Sequence, residues 1–310
     1  EEEFVKENKV VMEERRLRTD DNPNSLTREF FRATAYQTSP YQNPVIGWMQ
    51  DLEGLTLEDL QDWYIRWYAP NNATLIVVGD VEAKAVVELA KKYFGPLKPA
   101  EVGPPLSRPE VPQFGPKRVV VKKPAKLPQL VMGYKVPVLK TAEDSSEIYA
   151  LEMLAWVLDG GDSSRFTREL IRGSEVAVSV GTSYDLYARL SSLFTVSGLP
   201  AEGKTIKELR AALEAQFERV KTTLVSDEEL QRIKTQLIAS KVYEKDSIFY
   251  QGMQLGMLET VGLDWRLSEE YVDQVSAVTP AQIQAVAQKY LVDEGLTVAV
   301  LEPLPLEDKQ

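Results

Sequence analysis

An internal repeat constrains the fold of this 310-residue chain more than any other feature. Residues 55–75, LTLEDLQDWYIRWYAPNNATL, return in outline 223 positions later as residues 278–298, VTPAQIQAVAQKYLVDEGLTV. Each copy has a threonine before a helix-period run of apolar residues, an aromatic residue at the end of that run, and then a β-branched strand. Self-similarity at a fixed offset indicates two copies of one structural unit. We therefore expect two homologous domains.

The two copies differ in the length of chain that precedes them. The second copy has 162 residues between Pro116, where its strands are predicted to begin, and Val278, whereas the first has only 54 residues before Leu55. If the copies are alike, roughly 110 residues of the first domain lie before residue 1. We expect a first domain truncated at its N-terminus, residues 1–95, and a complete second domain, residues 117–310.

The segment between these domains, residues 96–116, contains seven prolines. Proline lacks the N–H that helices and central strands need, so this density excludes both structures. The segment is predicted to be an extended, semi-rigid linker.

The order of predicted elements indicates an α+β fold. A strand is predicted at residues 73–79 of the first domain, and five are predicted in the second domain, at residues 117–123, 128–136, 176–187, 190–198 and 295–301. Helices fill the intervening segments. Strands, then helices, then a strand predict a mainly antiparallel sheet in each domain, with helices packed on one face.

Two local features of the first domain carry further expectations. Ser25 is predicted to cap the helix that follows the DDNPN stop. An aromatic stripe at helical spacing is predicted to be part of the core rather than a platform for stacking bases, because the chain is acidic. The stripe consists of Trp63, Tyr64, Trp67 and Tyr68.

Composition excludes several classes of function. The net charge of −11 opposes nucleic-acid binding, which needs a basic face. No run of 18 apolar residues is present to predict a membrane-spanning helix. The chain has no cysteine and no histidine, so a histidine-dependent catalytic or metal site cannot be complete within it.

A second repeat, at an offset of 226, aligns residues 3–20 with residues 229–246. Glu7 and Glu14 of the first copy face Ile233 and Ser240 of the second, so the copies have diverged at their carboxylates. Seven residues correspond to about two helical turns, which places Glu7 and Glu14 on one face.

That acidic face has two interpretations. It is either a solvated surface with i,i+4 ion pairs such as Glu14–Arg18, or a partly buried pair of carboxylates that needs a cation or a metal. Spacing alone favours the solvated surface, since charge-rich helices are common.

Four segments carry a resemblance to a known family. They are the pattern E-x-x-V-V-x-E-E from Glu7 to Glu14, SPYQNPVIGW at residues 39–48, PNNATLIVVGDV at residues 70–81 and GGDSSRFTRELIR at residues 160–172. In this order they resemble the pitrilysin/insulinase-type zinc metallopeptidases, also called inverzincins, and in particular the bacterial two-domain members.

The resemblance implies a function for the acidic helix. In that family two histidines of an H-x-x-E-H helix and a glutamate from a later helix hold the zinc. By position, Glu14 would be this ligand and Glu7 a carboxylate that orients the site. H-x-x-E-H is absent here and is expected in the segment before residue 1. The intact protein would then be a zinc metalloendopeptidase, whereas this chain alone would be inactive and bind no zinc.

The resemblance also implies that the second domain contacts substrate. Family members use an arginine and, seven residues later, a tyrosine to bind the substrate backbone. Arg172 matches the arginine, but the spacing is one residue short and Val178 stands where the tyrosine is expected. Valine donates no hydrogen bond. Arg172 is therefore either a substrate-binding residue or an ordinary ion-pair or capping residue.

Relatives in this family also suggest the partners of the intact protein. Its substrate would be a peptide or unfolded polypeptide, enclosed between domains, and it would form a homo- or heterodimer with a related subunit in which it bears the zinc. The alternative is a non-catalytic scaffold or peptide-binding subunit of the same family. The resemblance favours a bacterial periplasmic or exported protein over a cytoplasmic one.

Overall fold

A computed structural model describes residues 1–104 and 108–306. The first part contains α1 (Glu2–Arg15), α2 (Pro23–Ala35), α3 (Met49–Gly54), α4 (Leu57–Trp67) and α5 (Ala83–Phe94). A π-helical turn, Arg16–Asp20, continues α1. No helix of the described residues is both long enough and apolar enough to cross a membrane.

The second part contains a five-stranded sheet and six helices. The strands are β1 (Lys117–Pro124), β2 (Gln129–Val136), β3 (Ala177–Ser183), β4 (Ser192–Pro200) and β5 (Leu296–Leu304). The helices are α6 (Ser145–Asp159), α7 (Ile206–Thr222), α8 (Asp227–Glu244), α9 (Ile248–Val261), α10 (Leu267–Ala277) and α11 (Pro280–Tyr290), and a π-helical turn spans Phe166–Ile171.

The sheet has the strand order β1-β5-β2-β4-β3. Only the β1–β5 pair is parallel; the other three pairs are antiparallel. The α+β class and the mainly antiparallel sheet predicted for the second domain are therefore confirmed. The predicted domain boundaries stay a prediction, and their residues 105–107 and 307–310 lie outside the described residues.

Side chains of alternate residues along the strands enter two separate cores, because successive strand residues point to opposite faces. On one face, Leu130, Met132 and Val298 join the main core with α6, α7 and α11. On the other face, Val131 and Ala299 pack against α2. Helix α2 belongs to the first part of the chain, so it adds a covering layer that the order of elements had not indicated.

A glycine in β2 allows α2 to lie close to the sheet. A Cβ placed on Gly133 would lie 2.5 Å from Cζ of Phe31, which is buried. Leu26, nearer the start of α2, packs with Val121 and Leu301. The cap of α2 is Asn22, whose side chain accepts hydrogen bonds from the N–H groups of residues 24 and 25, and Pro23 is the first helical residue. The prediction of Ser25 as cap is therefore wrong, since the helix begins two residues earlier.

The linker residue Glu110 joins the two parts of the chain. Its carboxylate accepts hydrogen bonds from the N–H groups of Gln37, Thr38 and Ser39 at 2.9–3.1 Å, and Lys135 of β2 donates to it at 2.5 Å. Burial alone would raise the pKa of Glu110, but the hydrogen bonds from Lys135 and the three N–H groups lower it to about 2. The linker is therefore fixed at Glu110 by residues of both parts of the chain.

The prediction of a strand at residues 73–79 is wrong for this structure. The segment is extended at Ala73, with φ −114° and ψ 142°, but it belongs to no sheet within the described residues. A strand needs a neighbouring strand to pair its backbone groups. Its side chains Ile76 and Val78 instead lie against Gly256 and Gly252 of α9.

Replacing Gly133 with alanine is expected to destabilise the contact between α2 and the sheet by about 1–3 kcal/mol, because the new methyl group overlaps Phe31. Urea unfolding measures this loss. Gly115→Ala is the matched control, since no atom lies within 4 Å of its added Cβ. Adding Phe31→Leu to Gly133→Ala should recover part of the stability, and a double variant no more stable than Gly133→Ala would contradict the overlap.

Glu110→Gln tests the role of the linker carboxylate. The folded-state pKa is lowered to about 2, so the ionised group stabilises the fold above its unfolded pKa of about 4.3, and this stabilisation disappears as pH falls towards 2. Glu110→Gln should cost roughly 2–3 kcal/mol at pH 7 and much less near pH 2.5. The measurement is urea unfolding at several pH values, with the exposed linker residue variant Glu101→Gln as control. A pH-independent difference would refute the ionic contribution.

Candidate functional site

The acidic helix α1 carries its two candidate carboxylates at or near the surface. Glu7 is exposed, and Glu14 is partly exposed. Glu14 forms an ion pair with Arg18 at 2.9 Å, the i,i+4 pair expected for a solvated helix face. Near the middle of the helix, the Asn8 side chain donates to the carbonyl of Leu52 at 2.9 Å, which joins α1 to α3.

The residue after Glu14 anchors the end of this helix. Arg15 is buried and donates two hydrogen bonds to Glu29 of α2, Nη1 to Oε2 at 2.9 Å and Nη2 to Oε1 at 2.8 Å. Nη1 also donates to the carbonyl of Gly47 at 2.7 Å, and the guanidinium lies 5.8 Å from the ring centroid of Trp48. Hydrogen bonding to Glu29, partly opposed by burial, raises the pKa of Arg15.

This anchor fixes the backbone on which Glu14 sits. Gly47, whose carbonyl accepts the hydrogen bond from Arg15, has a φ of +89°. This backbone conformation favours glycine. Sequence reasoning missed the anchor. The feature of the sequence that could have indicated a buried ion pair is Glu29, a carboxylate on the same helix as the buried Leu26 and Phe31.

The side chains around Glu14 can be compared with the ligand set of a zinc site. Catalytic zinc in proteins takes three protein ligands and a water. The described ranges, 1–104 and 108–306, hold no group of three or more His, Cys, Asp or Glu side chains that could bind a metal. Glu14 is thus at most one ligand of such a site.

The second-domain candidate is also at the surface. Arg172 follows the second π-helical turn, is exposed, and has Asp162 at 3.5 Å as an ion-pair partner. Val178 lies exposed on β3. Tyr184 follows β3 and donates its hydroxyl to the carbonyl of Pro137 at 2.7 Å. The structure does not bring a tyrosine hydroxyl to Arg172 among these residues.

Equivalent faces of the two repeats differ in burial. Ile283, Val286 and Ala287 of α11 are buried in the main core. The positions 223 residues earlier in α4 are Leu60, Trp63 and Tyr64, whose exposed fractions are 46%, 55% and 56%. The prediction that the aromatic stripe belongs to a core is therefore wrong for the described residues, because no sheet or helix there covers this face of α4.

The fold and the acidic helix together define a class: an α+β chain with a sequence repeat in which the carboxylates of Glu7 and Glu14 occur in the first copy only. Residues 54–237 match the family described as "Peptidase M16 inactive domain". The match covers more than half of the chain and spans the linker. The chain belongs to the M16 peptidase family, which confirms the pitrilysin/insulinase resemblance.

Named relatives agree with this membership. The zinc protease PqqE of Helicobacter pylori is 31% identical over 309 residues, a match that covers 98% of this chain and 68% of that protein. An uncharacterised zinc protease of Rickettsia felis is 26% identical, and the match covers 83% of this chain and 60% of that protein. The chain thus spans about two thirds of the length of these relatives.

Solved structures confirm the fold. A crystal structure of a protease from Helicobacter pylori superposes with a TM-score of 0.90 at 29% identity, covering 98% of this chain and 73% of that one. A peptidase M16 inactive domain from Pseudomonas fluorescens gives a TM-score of 0.83 at 18% identity, covering 99% of this chain and 72% of that one. At 18% identity the second likeness shows the fold alone.

Breaking the Arg15–Glu29 pair is expected to destabilise the protein strongly. Glu29→Gln leaves the buried guanidinium with only the longer ion pair to Asp20, at 3.4 Å, which costs about 3–5 kcal/mol. Breaking the exposed Lys6–Glu2 pair with Glu2→Gln should cost less than about 1 kcal/mol. Urea unfolding of both variants measures the contrast, and equal small losses would show that the Arg15–Glu29 pair is not an anchor.

Proposed function

We propose that this chain is part of a zinc-dependent metalloendopeptidase in which Glu14 is a zinc ligand and Glu7 orients the site. The observation that carries the proposal is the asymmetry of the repeat: the first copy has Glu7 and Glu14, whereas the second has Ile233 and Ser240 at the matching positions. Relatives named zinc proteases support it.

The remaining ligands of this site would come from polypeptide outside this sequence, in the form of the H-x-x-E-H motif of the family. The exposed apolar face of α4 supports the idea that such a segment packs on it, because the equivalent face of α11 is buried by the second domain's own residues. The unpaired segment 73–79 supports it too, since its repeat counterpart is β5, a strand with neighbours on both sides.

The surroundings of Glu14 suit the role of a ligand. Its carboxylate is partly exposed and held only by the exposed Arg18, so a stronger cation could displace that partner. The backbone beneath it is fixed by the buried Arg15–Glu29 pair. A preorganised backbone with an accessible carboxylate is what a shared metal site requires of each contributing helix. Bound zinc would supply an activated water for peptide hydrolysis.

The same proposal includes the substrate and the partner. Peptides or unfolded polypeptides would be enclosed between the two domains, with Arg172 at the surface available to bind a substrate carbonyl. No tyrosine hydroxyl lies near Arg172 in the described residues. This supports a homo- or heterodimer in which this protein bears the zinc and a related subunit supplies the tyrosine that binds substrate. We also propose that the protein is periplasmic or exported, as one structural neighbour at 18% identity is described as a periplasmic protease of Escherichia coli.

A second candidate is a non-catalytic peptide-binding or scaffold subunit. The matching family description, an inactive M16 domain, favours it for the second domain, where the carboxylates are lost. The two candidates differ in their requirement for Glu14, because only the peptidase needs its carboxylate.

The test is a longer polypeptide that extends this chain at its N-terminus. Its zinc content by elemental mass spectrometry should be near one per chain, and Glu14→Gln should lower zinc affinity by at least tenfold, with Glu7→Gln causing a loss of about 10–100-fold. Glu13→Gln is the matched control, since Glu13 neighbours Glu14 but is exposed and pairs with Arg16.

Two results would contradict this proposal. One is zinc binding that is unchanged by Glu14→Gln. The other is stoichiometric tight zinc with peptide cleavage by this chain alone, because its described residues offer no three-ligand group. Absence of H-x-x-E-H from the longer polypeptide would favour the scaffold subunit.

A further inference from the structure

A cavity of about 410 Å³ opens between the C-terminal half of α6 and the end of β3. We call it the α6 cavity. The residues that matter to its chemistry are Glu152, Trp156, Asp159, Thr182 and Tyr184. Two of these five are carboxylates, two are aromatic, and none is a cation. The cavity lies in the second domain, apart from Glu7 and Glu14.

Glu152 is a largely buried carboxylate in the wall of this cavity. Its Oε1 accepts a hydrogen bond from the hydroxyl of Tyr271 at 3.2 Å, and it forms no salt bridge within the described part of the chain. Burial raises the pKa of Glu152 to about 6, although the nearby charge of Lys241 opposes the rise. Lys241 is held instead by Glu244, at 2.8 Å.

Asp159 supplies the second negative group. Its Oδ2 accepts a hydrogen bond from the N–H of Thr182 at 2.8 Å, which orients the carboxylate beside the edge strand β3. Burial raises the pKa of Asp159, partly offset by that hydrogen bond. No salt bridge to Asp159 occurs among residues 1–104 and 108–306. The two carboxylates therefore share a cavity without a neutralising ion pair.

The aromatic walls decide what kind of cation fits. The hydroxyl of Tyr184 is bonded to the carbonyl of Pro137, which fixes its ring, and Trp156 lies one helical turn from Glu152 on α6. Aromatic faces attract organic cations such as ammonium and guanidinium groups. A metal ion is disfavoured, because the described residues offer no group of three or more metal-binding side chains.

The repeat relates the surroundings of Glu152 to helix α1 of the first domain. Helix α8 is the counterpart of α1, and its Ser240 and Lys241 occupy the positions of Glu14 and Arg15. The ammonium of Lys241 lies 5.4 Å from the ring centroid of Tyr271, whose hydroxyl binds Glu152. Glu152 is thus linked through Tyr271 to the residue that corresponds, in the second copy, to Arg15.

We propose that the α6 cavity binds the cationic side chain of a peptide, lysine or arginine, with Glu152 and Asp159 as its anionic partners and Trp156 and Tyr184 as its walls. That the ligand is a peptide rests on the proposed function; the preference for an organic cation rests on the cavity alone. The site would favour substrates with a basic residue at a fixed distance from the scissile bond.

The test uses this chain and three small probes. N-acetyl-lysine N-methylamide and N-acetyl-arginine N-methylamide carry the two cations, and N-acetyl-norleucine N-methylamide is the uncharged control of similar shape. The indole ¹⁵N–¹H NMR signal of Trp156, assigned by its loss in Trp156→Phe, should shift saturably with the cationic probes. Glu152→Gln and Asp159→Asn keep the shape and the acceptor oxygens but should each weaken binding about tenfold or more. Glu228→Gln, an exposed position on α8 outside the cavity, should leave it unchanged.

Three outcomes would overturn the inference: no saturable shift of Trp156, equal shifts with the norleucine probe, or cation binding unaffected by both cavity variants. Magnesium or zinc that produces the same shift would show a metal site instead. Because no probe is cleaved and no zinc is added in the main experiment, its outcome is independent of whether the longer polypeptide is a peptidase. Unchanged circular dichroism and urea midpoints of the variants exclude misfolding as the cause of weaker binding.

Discussion

The packing of α2 against the second domain's sheet determines where the acidic helix lies. Successive side chains of a strand point to opposite faces of the sheet. The sheet therefore has a second apolar face, which includes Val131 and Ala299 and must be covered. Helix α2 covers it at a distance that only a glycine at position 133 allows, and Arg15 then joins α1 to α2 through Glu29. The backbone that carries Glu14 is therefore held in a fixed relation to the second domain.

The two repeats show how one sequence pattern can give different degrees of burial. Thr56 with Asp59 and Thr279 with Gln282 form the same capping box, so both helices begin in the same way. The apolar face that follows is buried in α11 and exposed in α4. Local sequence thus determines the helix and its cap, whereas burial depends on whether a sheet lies opposite. The exposed face of α4 has the apolar pattern of a core face, but within the described residues no sheet lies opposite it.

This distinction explains what could be predicted from the sequence. Periodicity and caps predicted the helices and all five strands of the second domain, because those signals lie within a few residues of each other. The predictions of a strand at residues 73–79 and of a buried aromatic stripe on α4 were wrong, since strand pairing and burial require partners that are distant in sequence. Glu7 and Glu14 were found by comparing the copies, but the Arg15–Glu29 pair joins residues of two helices and leaves no periodic signal. The α6 cavity was missed for the same reason: Asp159 and Thr182 meet only through the fold.

The divergence at one helix position changes the chemistry of each domain. In the first copy, Arg15 is neutralised by the buried Glu29, so Glu14 has only an exposed partner and remains accessible. In the second copy Lys241 stands in place of Arg15 and is neutralised by Glu244, and serine replaces the glutamate before it. The negative groups of the α6 cavity in the second domain are Glu152 and Asp159, which lie there with the aromatic rings of Trp156 and Tyr184. A carboxylate among metal-binding groups selects a metal, and a carboxylate among aromatic rings selects an organic cation. The two proposals therefore assign metal-dependent chemistry to the first domain and recognition of a basic side chain to the second.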